Sequence, residues 1–303
     1  MDLRQLAALA AVADAGSFSA AARRLHTVQS NVSTHVARLE RELGATLVDR
    51  GTGSLTDEGE AVVARARRIT HEIESLRSDV ESMLHEVSGA VRLGCIGTVG
   101  RWLVPRLLEA MAERHPLVDV VIVDATTTSL VPQVVSESLD LAIINLPLAP
   151  GELATEPLFD EDRIVLAPLG HPLAAHARVA LADLAEHALL LEPRGTAFRD
   201  ELDDQAARIG VTMRPQAQID GIRLLTSLAF EGFGPAVVPS TAAPPWSEAA
   251  CRRVEVEGLA PRTVGLATPR RVRLSAPARA VRAVVRDLVA ATDQEGVRVT
   301  LGG

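Results

Sequence analysis

The stretch RRLHTVQSNVSTHVARLERELG, residues 23–44, decides the reading of the amino-terminal part of this chain. Val32, Val36, Leu39 and Leu43 recur at helical spacing and make one apolar stripe. On the same wheel Ser30, Thr34, Arg38 and Arg41 point the opposite way, with Asn31 and Ser33 on the flanks. Thr27 is the expected N-cap and Gly44 the expected C-cap. Before this helix SFSAAARRL makes a shorter one, and HTV is the tight link between them. Two short helices at such a corner describe a helix-turn-helix or an αα-hairpin of another helical domain, and the pattern alone leaves both open. What favours the first is the outer face of small hydrogen-bonding side chains, which would let a helix approach base edges in the major groove.

Charge does not choose between them. Residues 1–57 hold six arginines (4, 23, 24, 38, 41 and 50) against six acids, Asp2, Asp14, Glu40, Glu42, Asp49 and Asp57. DNA binding there would depend on where the arginines lie rather than on their number.

The whole chain has 303 residues, 47% hydrophobic and 23% charged, enough for two or three domains with cores of their own. Its net charge of −8 gives no global basic field. All of its basic side chains are arginine, so a Schiff-base lysine and a Walker A lysine are both excluded. Cys95 and Cys251 are too far apart to suggest a disulfide framework or zinc spacing, and no metal site is expected. No catalytic motif appears in a supporting context, so no catalytic residue and no enzyme activity are expected. LAALAAVADAG imitates a signal peptide, but Asp2 cancels Arg4 in the would-be positive region, and the apolar run is too short to span a membrane. The chain reads as cytoplasmic, with no membrane partner.

From 57 to 87 Val62, Ala66, Ile69, Ile73, Leu76, Val80, Met83 and Val87 alternate in steps of four and three. That is a heptad seam, and it predicts a coiled-coil-like pairing helix ended by Ser88-Gly89, with Ile69, Ile73, Leu76, Val80 and Met83 at the dimer contact.

Beyond residue 90 short apolar runs alternate with helical segments. VRLGCI, DVVIVDA and LDLAII read as strands, with helices near 102–114 and 129–138. This βαβαβ order predicts a parallel sheet. RIVLAPL, HALLLEP, PQAQID and GPAVVPS repeat the theme with helices near 197–209 and 221–231, and RTVGLAT with a helix over 277–291 closes the chain. Two lobes with crossings near 161–163 and 263–266 predict a cleft at the carboxyl ends of the strands. The turns there, GCIGTVGRW, DATTTSL and EPRGTAFRD, put Thr98, Gly100, Thr127, Thr128, Gly195 and Thr196 at helix starts. Hydroxyls and free amides at helix N-termini favour an anion, and Arg101 and Arg199 lie within a turn of two of them. The glycines at 94, 97 and 100 do not make a dinucleotide fingerprint.

The opening Leu3 to Leu6, GSFSAAARRL, Gln29, Val32, Ser33, LERELG and Leu55-Thr56 resemble the DNA-binding domain of LysR-type transcriptional regulators. VRLGCIGTVGRWLVPRLL, LDLAI, HPLA, Gly195-Thr196 and FEGFGPAVVP are similar to the effector-binding domain of the same family. The chain departs at Val28-Gln29-Ser30-Asn31, at Val48-Asp49 and in a short wing, RGTGSLT, that lacks a second basic residue.

The resemblance implies a winged helix-turn-helix over 1–57, a linker and dimerisation helix over 58–87, and a two-lobed, periplasmic-binding-protein-like α/β domain over 88–303. Lobe I is expected at 88–162 and 266–303, and lobe II at 163–265. Gln29, Ser30, Ser33 and Thr34 are then candidates for base edges, Asn31 for a further DNA contact, and Arg38 and Arg50 for phosphates. Thr98, Gly100, Thr127, Thr128, Gly195 and Thr196 are candidates for a small, anionic effector, with no cofactor. The implied partners are double-stranded DNA, that effector, further copies of the chain in a dimer or tetramer, and RNA polymerase. An alternative is oxidant sensing through Cys95, since strand ends and helix N-termini lower a thiol pKa.

Overall fold

The computed structural model describes residues 1–84, 86–244, 248–270 and 272–301. They form two compact units: Met1–Leu84 together with Ser136–Ser138, and the remaining described residues.

The first unit begins with α1 (Leu3–Ala15), capped by Asp2 in a reciprocal box with Gln5. Ser17 caps α2 (Phe18–Arg24), and α3 spans Gln29–Leu43 with Gly44 left-handed at its end. The expected cap at Thr27 is not formed. Val28 takes that position without a side-chain bond, and the Thr27 hydroxyl instead accepts from Asn31 Nδ2 at 3.0 Å. His26, at φ +51°, turns the link between the two helices. Val32, Val36 and Leu39 are fully buried against Leu6, Leu9, Val12, Ala21 and Ala22, but Leu43, at the stripe's end, stays 43% exposed. Val48 and Leu55 form an antiparallel bridge, between which Asp49 Oδ1 accepts from the Gly51 amide at 2.7 Å and closes the wing.

Helix α4 spans Asp57–Leu84, so it ends before Val87, and the predicted seam loses its last member. The chain has to leave the helix early because strand pairing begins at Gly89, whose φ of +116° only glycine adopts readily. The seam is also divided. Ala66 joins the core of the first unit with Val62 against it, whereas Ile69, Leu76, Val80 and Met83 are exposed by 39%, 63%, 48% and 79%.

The second unit holds two six-stranded sheets among the described residues. Lobe I contains β1 (Gly89–Cys95), α5 (Gly97–Arg114), β2 (Val118–Asp124), α6 (Thr127–Val135), β3 (Leu141–Leu146) and β4 (Leu153–Glu161). The chain crosses at Asp162 into lobe II: β5 (Arg163–Pro168), β6 (Arg178–Ala180), β7 (Ala188–Leu191), α7 (Ala197–Arg208), β8 (Arg214–Gln218), α8 (Ile222–Phe230), β9 (Ala236–Pro239) and β10 (Cys251–Glu257). It returns through β11 (Arg262–Pro269), α9 (Ala276–Ala290) and β12 (Val297–Val299).

The sheet orders are β12-β4-β11-β3-β1-β2 and β6-β10-β5-β9-β7-β8. Both are mixed rather than the expected parallel sheet. β1, β2 and β3 pair parallel, as do β7, β8 and β9, but the crossing strands β11 and β5 run antiparallel beside β3 and β9. Each crossing strand arrives from the other lobe without a helical crossover, so it enters its sheet in the opposite sense. β11 pairs wholly within lobe I, which moves the second crossing from the expected 263–266 back to 258–261. β4 and β10 were missed because charges and alternation interrupt their apolar pattern: β4 reads LATEPLFDE and β10 CRRVEVE.

Gly59 gives the first unit a sharp test. A Cβ there would stand 2.0 Å from the Leu47 carbonyl oxygen, so α4 rests on bare backbone. Gly59→Ala should destabilise the first unit by about 2 kcal/mol or more, because helix and wing must move apart. Hydrogen exchange should show this loss in 1–84 and not in the two sheets.

Candidate effector cavity

Four helices start at the carboxyl ends of four strands, and the first two residues of each line one cavity. They are Gly97 and Thr98 of α5, Thr127 and Thr128 of α6, Ala197 and Phe198 of α7, and Ile222 and Arg223 of α8. The cavity measures about 190 Å³. First-turn amides have no acceptor within their own helix, so four sets of N–H dipoles face one space.

Beneath it lies a buried ion pair. Arg262, at the start of β11, donates through Nε and Nη2 to Glu161 Oε2 at 2.9 and 2.6 Å. The same guanidinium donates to Thr98 Oγ1 at 2.7 Å and to Asn145 Oδ1 at 3.0 Å. Glu161 Oε1 accepts from the Thr241 amide at 2.8 Å and its hydroxyl at 2.6 Å. Both charges are at most 3% exposed and sit on the two chain crossings. A buried pair with this many partners is sustainable, while either charge alone would be costly.

Arg163 is equally buried, paired with Glu201, and stacked over the Phe198 ring at 4.8 Å. Burial, and then the nearby Arg262, push its guanidinium down to about 10. Arg223 Nη1 meets Asp124 Oδ2 at 2.8 Å, an ion pair from lobe II to lobe I on the cavity wall.

The expected residues separate cleanly. Thr98, Thr127, Thr128 and Thr196 line the cavity. Gly100 and Gly195 are not on its wall: Gly100 faces Cys95, and the Gly195 amide donates to Asp200 Oδ1 at 2.9 Å. Arg101 and Arg199 do not serve an anion either. Arg101 donates to the Thr241 and Ala242 carbonyls, and Arg199 to Asp203 and the Glu192 carbonyl. Asn145, Glu192 and Arg262 are cavity residues that the helix-start argument missed. The available signal was a charge at the end of an apolar strand, as in HALLLEP and RTVGLAT.

Cys95 does not have the lowered pKa expected of it. It is 1% exposed at the end of β1, and burial, reinforced by Asp124, pushes the thiol up to about 12. Cys251 is as buried and pushed up to about 11, again by burial.

In the first unit Gln29, Ser30, Asn31, Thr34 and Arg38 are exposed along α3, and Ser33 is half-buried. The Gln29 side chain accepts from Ser19 Oγ, and Thr34 Oγ1 bonds back to the Ser30 carbonyl. Arg50 projects from the wing with Nη2 at 3.3 Å from Glu40, whose other oxygen accepts from Leu47 N.

Residues 3–60 match the pattern of the bacterial regulatory helix-turn-helix proteins of the lysR family, and residues 85–290 match the LysR substrate binding domain. The chain belongs to the LysR family of transcriptional regulators. One similar relative is a probable hydrogen peroxide-inducible genes activator of Streptomyces viridosporus, 33% identical over 79% of this chain and 78% of that protein. Among solved structures, a full-length OxyR variant from Pseudomonas aeruginosa aligns over 100% of this chain and 99% of its own, with TM-score 0.76 and 25% identity. Full-length CbnR in complex with target DNA has the same fold, with TM-score 0.73 and 24% identity over 95% of this chain and 99% of that one. This LysR-type regulator therefore binds DNA through its helix-turn-helix and a small-molecule effector through its substrate-binding domain; the family controls transcription and is not one of enzymes. Among the described residues no single helix is long and apolar enough to cross a membrane.

Glu192 carries a pH signature. It is 8% exposed, and burial, reinforced by Asp220 and opposed by Arg262 and Arg163, pushes its carboxyl up to about 7. A folded value above the unfolded one means stability is intact below pH 4.5 and falls as pH rises toward 7, by roughly 3 kcal/mol. Urea unfolding should show wild type losing stability relative to Glu192→Gln across that window; parallel profiles would contradict it.

Proposed function

We propose that this regulator reads its operator with α3 and responds to a small, negatively charged metabolite in the cavity where the four helix starts meet. The observation that carries the reading is that convergence. The lining side chains Arg223 and Arg262 are balanced by Asp124 and Glu192, so the attraction for an anion comes from the amides and helix dipoles. Thr98, Thr127, Thr128 and Thr196 are the proposed effector contacts. Effector binding changes operator affinity by favouring one arrangement of the regulator over another. The protein works in the cytoplasm, and contact with RNA polymerase follows from its role as a regulator.

On DNA, Gln29, Ser30, Asn31, Ser33 and Thr34 are proposed to meet base edges, and Arg38 and Arg50 to meet phosphates. Arg50 is the weaker of the two cations because Glu40 already neutralises part of its charge. The α4 seam from Ile69 on, with exposed Ile69, Leu76, Val80 and Met83 and half-buried Ile73, is the proposed pairing surface. Unpaired apolar residues repeating along a helix are the usual mark of a coiled-coil partner.

A second reading is oxidant sensing through Cys95, favoured by the peroxide-inducible activators among the relatives. Against it stands the chemistry of a buried thiol at about 12, which holds almost no thiolate at neutral pH. Footprinting on the chromosome followed by operator binding, with and without small acids or hydrogen peroxide, separates the two. Acid-dependent binding supports the metabolite, and a peroxide response lost in Cys95→Ser supports the oxidant.

Replacing Ser33 with Ala should reduce discrimination between operator variants, each good contact contributing about 1–3 kcal/mol. Arg38→Ala should instead weaken all sequences alike and lower the salt slope by about 1. Indistinguishable effects across operator variants would reverse this division of roles.

Leu76→Glu should leave the protomer folded, since Leu76 is 63% exposed within the chain, but shift sedimentation toward monomer. An unchanged oligomer would exclude this face as the pairing surface.

A further inference from the structure

Glu192 is a costly residue at a place where a threonine or an amide would serve an anion better. It follows β7 and reaches the cavity wall opposite Thr98 and Thr127.

On the lobe I side Thr98 Oγ1 accepts from Arg262 Nη2 at 2.7 Å, and Thr127 Oγ1 accepts from the Asn145 amide at 3.0 Å. A hydroxyl has one proton. Each accepts one bond and, among the described residues, neither is recorded donating to a protein acceptor, so the protons of Thr98 and Thr127 are available to a ligand in the cavity they line. They ask for an acceptor on the ligand.

On the lobe II side the Glu192 carboxyl is more than nine-tenths buried and lines the same space. The Thr196 hydroxyl is its side-chain hydrogen-bond partner, and the same hydroxyl lies 2.9 Å from the Pro193 carbonyl. Arg262 and Arg163 favour the carboxylate electrostatically; Arg262 spends its bonds on Glu161, Thr98 and Asn145, and Arg163 pairs with Glu201 through Nη2 while its buried Nε and Nη1 have no hydrogen-bond partner among the described residues. Asp220 disfavours it, and the Asp124–Arg223 pair on the wall is self-neutralised. A carboxylate accepts up to about four hydrogen bonds, so the bond from Thr196 leaves the Glu192 oxygens with room for a donor on the ligand.

We propose that the metabolite carries two groups at once: a carboxylate or similar acceptor held by Thr98, Thr127 and the helix starts, and an ammonium or hydroxyl donor held by Glu192. This rests on the anion-cavity reading and narrows it to small amino or hydroxy acids. The size agrees, since about 190 Å³ is below the roughly 300–1,000 Å³ of pockets that take drug-sized ligands. With the carboxyl titrating at about 7, the ammonium form also binds more tightly as pH rises from 6 to 8.

The test uses matched probes on three carbon skeletons: propanoic, 4-methylpentanoic and 3-phenylpropanoic acid. Each set contains the plain acid, its 2-hydroxy and 2-amino derivatives, and the amine lacking the carboxylate. Thermal shift and titration calorimetry are run on full-length wild type, Glu192→Gln and Thr98→Val. In at least one set the amino or hydroxy acid should bind wild type about tenfold or more tighter than the plain acid, a difference of about 1.4 kcal/mol. Glu192→Gln should erase that preference and its pH dependence, while the plain acid binds as well or better. Thr98→Val should weaken every acid and leave the amine unaffected. If the plain acid binds wild type as tightly as its derivatives, or Glu192→Gln keeps the preference, the two-group assignment is wrong and the anion cavity stands. If no acid binds wild type, or the amine alone does, the anion cavity itself is wrong and the narrower assignment falls with it.

Discussion

The second unit depends on one buried ion pair, Glu161 with Arg262. These residues stand at the two points where the chain passes between lobes, and each is at most 3% exposed. Their remaining bonds reach Thr98 at the start of α5, Asn145 on β3 and Thr241 in lobe II. One electrostatic contact thus ties both crossings to the floor of the cavity. Such a pair adds little net stability against an apolar replacement, but it fixes geometry, since loss of either partner strands a charge.

The cavity above it uses backbone as its main chemistry. Every lobe follows a strand with a helix whose first turn opens toward the same space, so the fold itself gathers the amides. Side-chain charge is nearly cancelled there, and the arginines that sequence reasoning assigned to an anion are engaged elsewhere. Arg101 clamps lobe I to the carbonyls of Thr241 and Ala242, and Arg199 braces α7 against Asp203. A cavity of fixed dipoles with a buried carboxyl on its wall discriminates by hydrogen-bond direction as well as by charge.

The helix-turn-helix was legible in the sequence for a physical reason. Local spacing decides which residues share a helix face, and Val32, Val36 and Leu39 are buried as their periodicity requires. The positions of Thr98, Thr127 and Thr196 were legible too, because a polar cluster between a buried strand and a helix marks a strand-end turn. The seam of α4 was read correctly as apolar. Its division was not, because periodicity cannot tell which apolar residues, such as Ala66, a neighbouring core has already claimed.

By itself, then, the sequence determined the helices, the strands with unbroken apolar runs and the family, since those follow from patterns within a few residues of one another, whereas β4 and β10 escaped it. Only the tertiary structure decided which polar groups are free. Cys95 looked activated at a strand end, yet burial holds its thiol at about 12. Gly195 looked like an open amide, yet Asp200 occupies it. Glu192 looked like the end of a strand, yet it lines the cavity. Desolvation and hydrogen-bond partnership arise from residues distant in the chain, as with Glu161 and Arg262, and no local pattern encodes them.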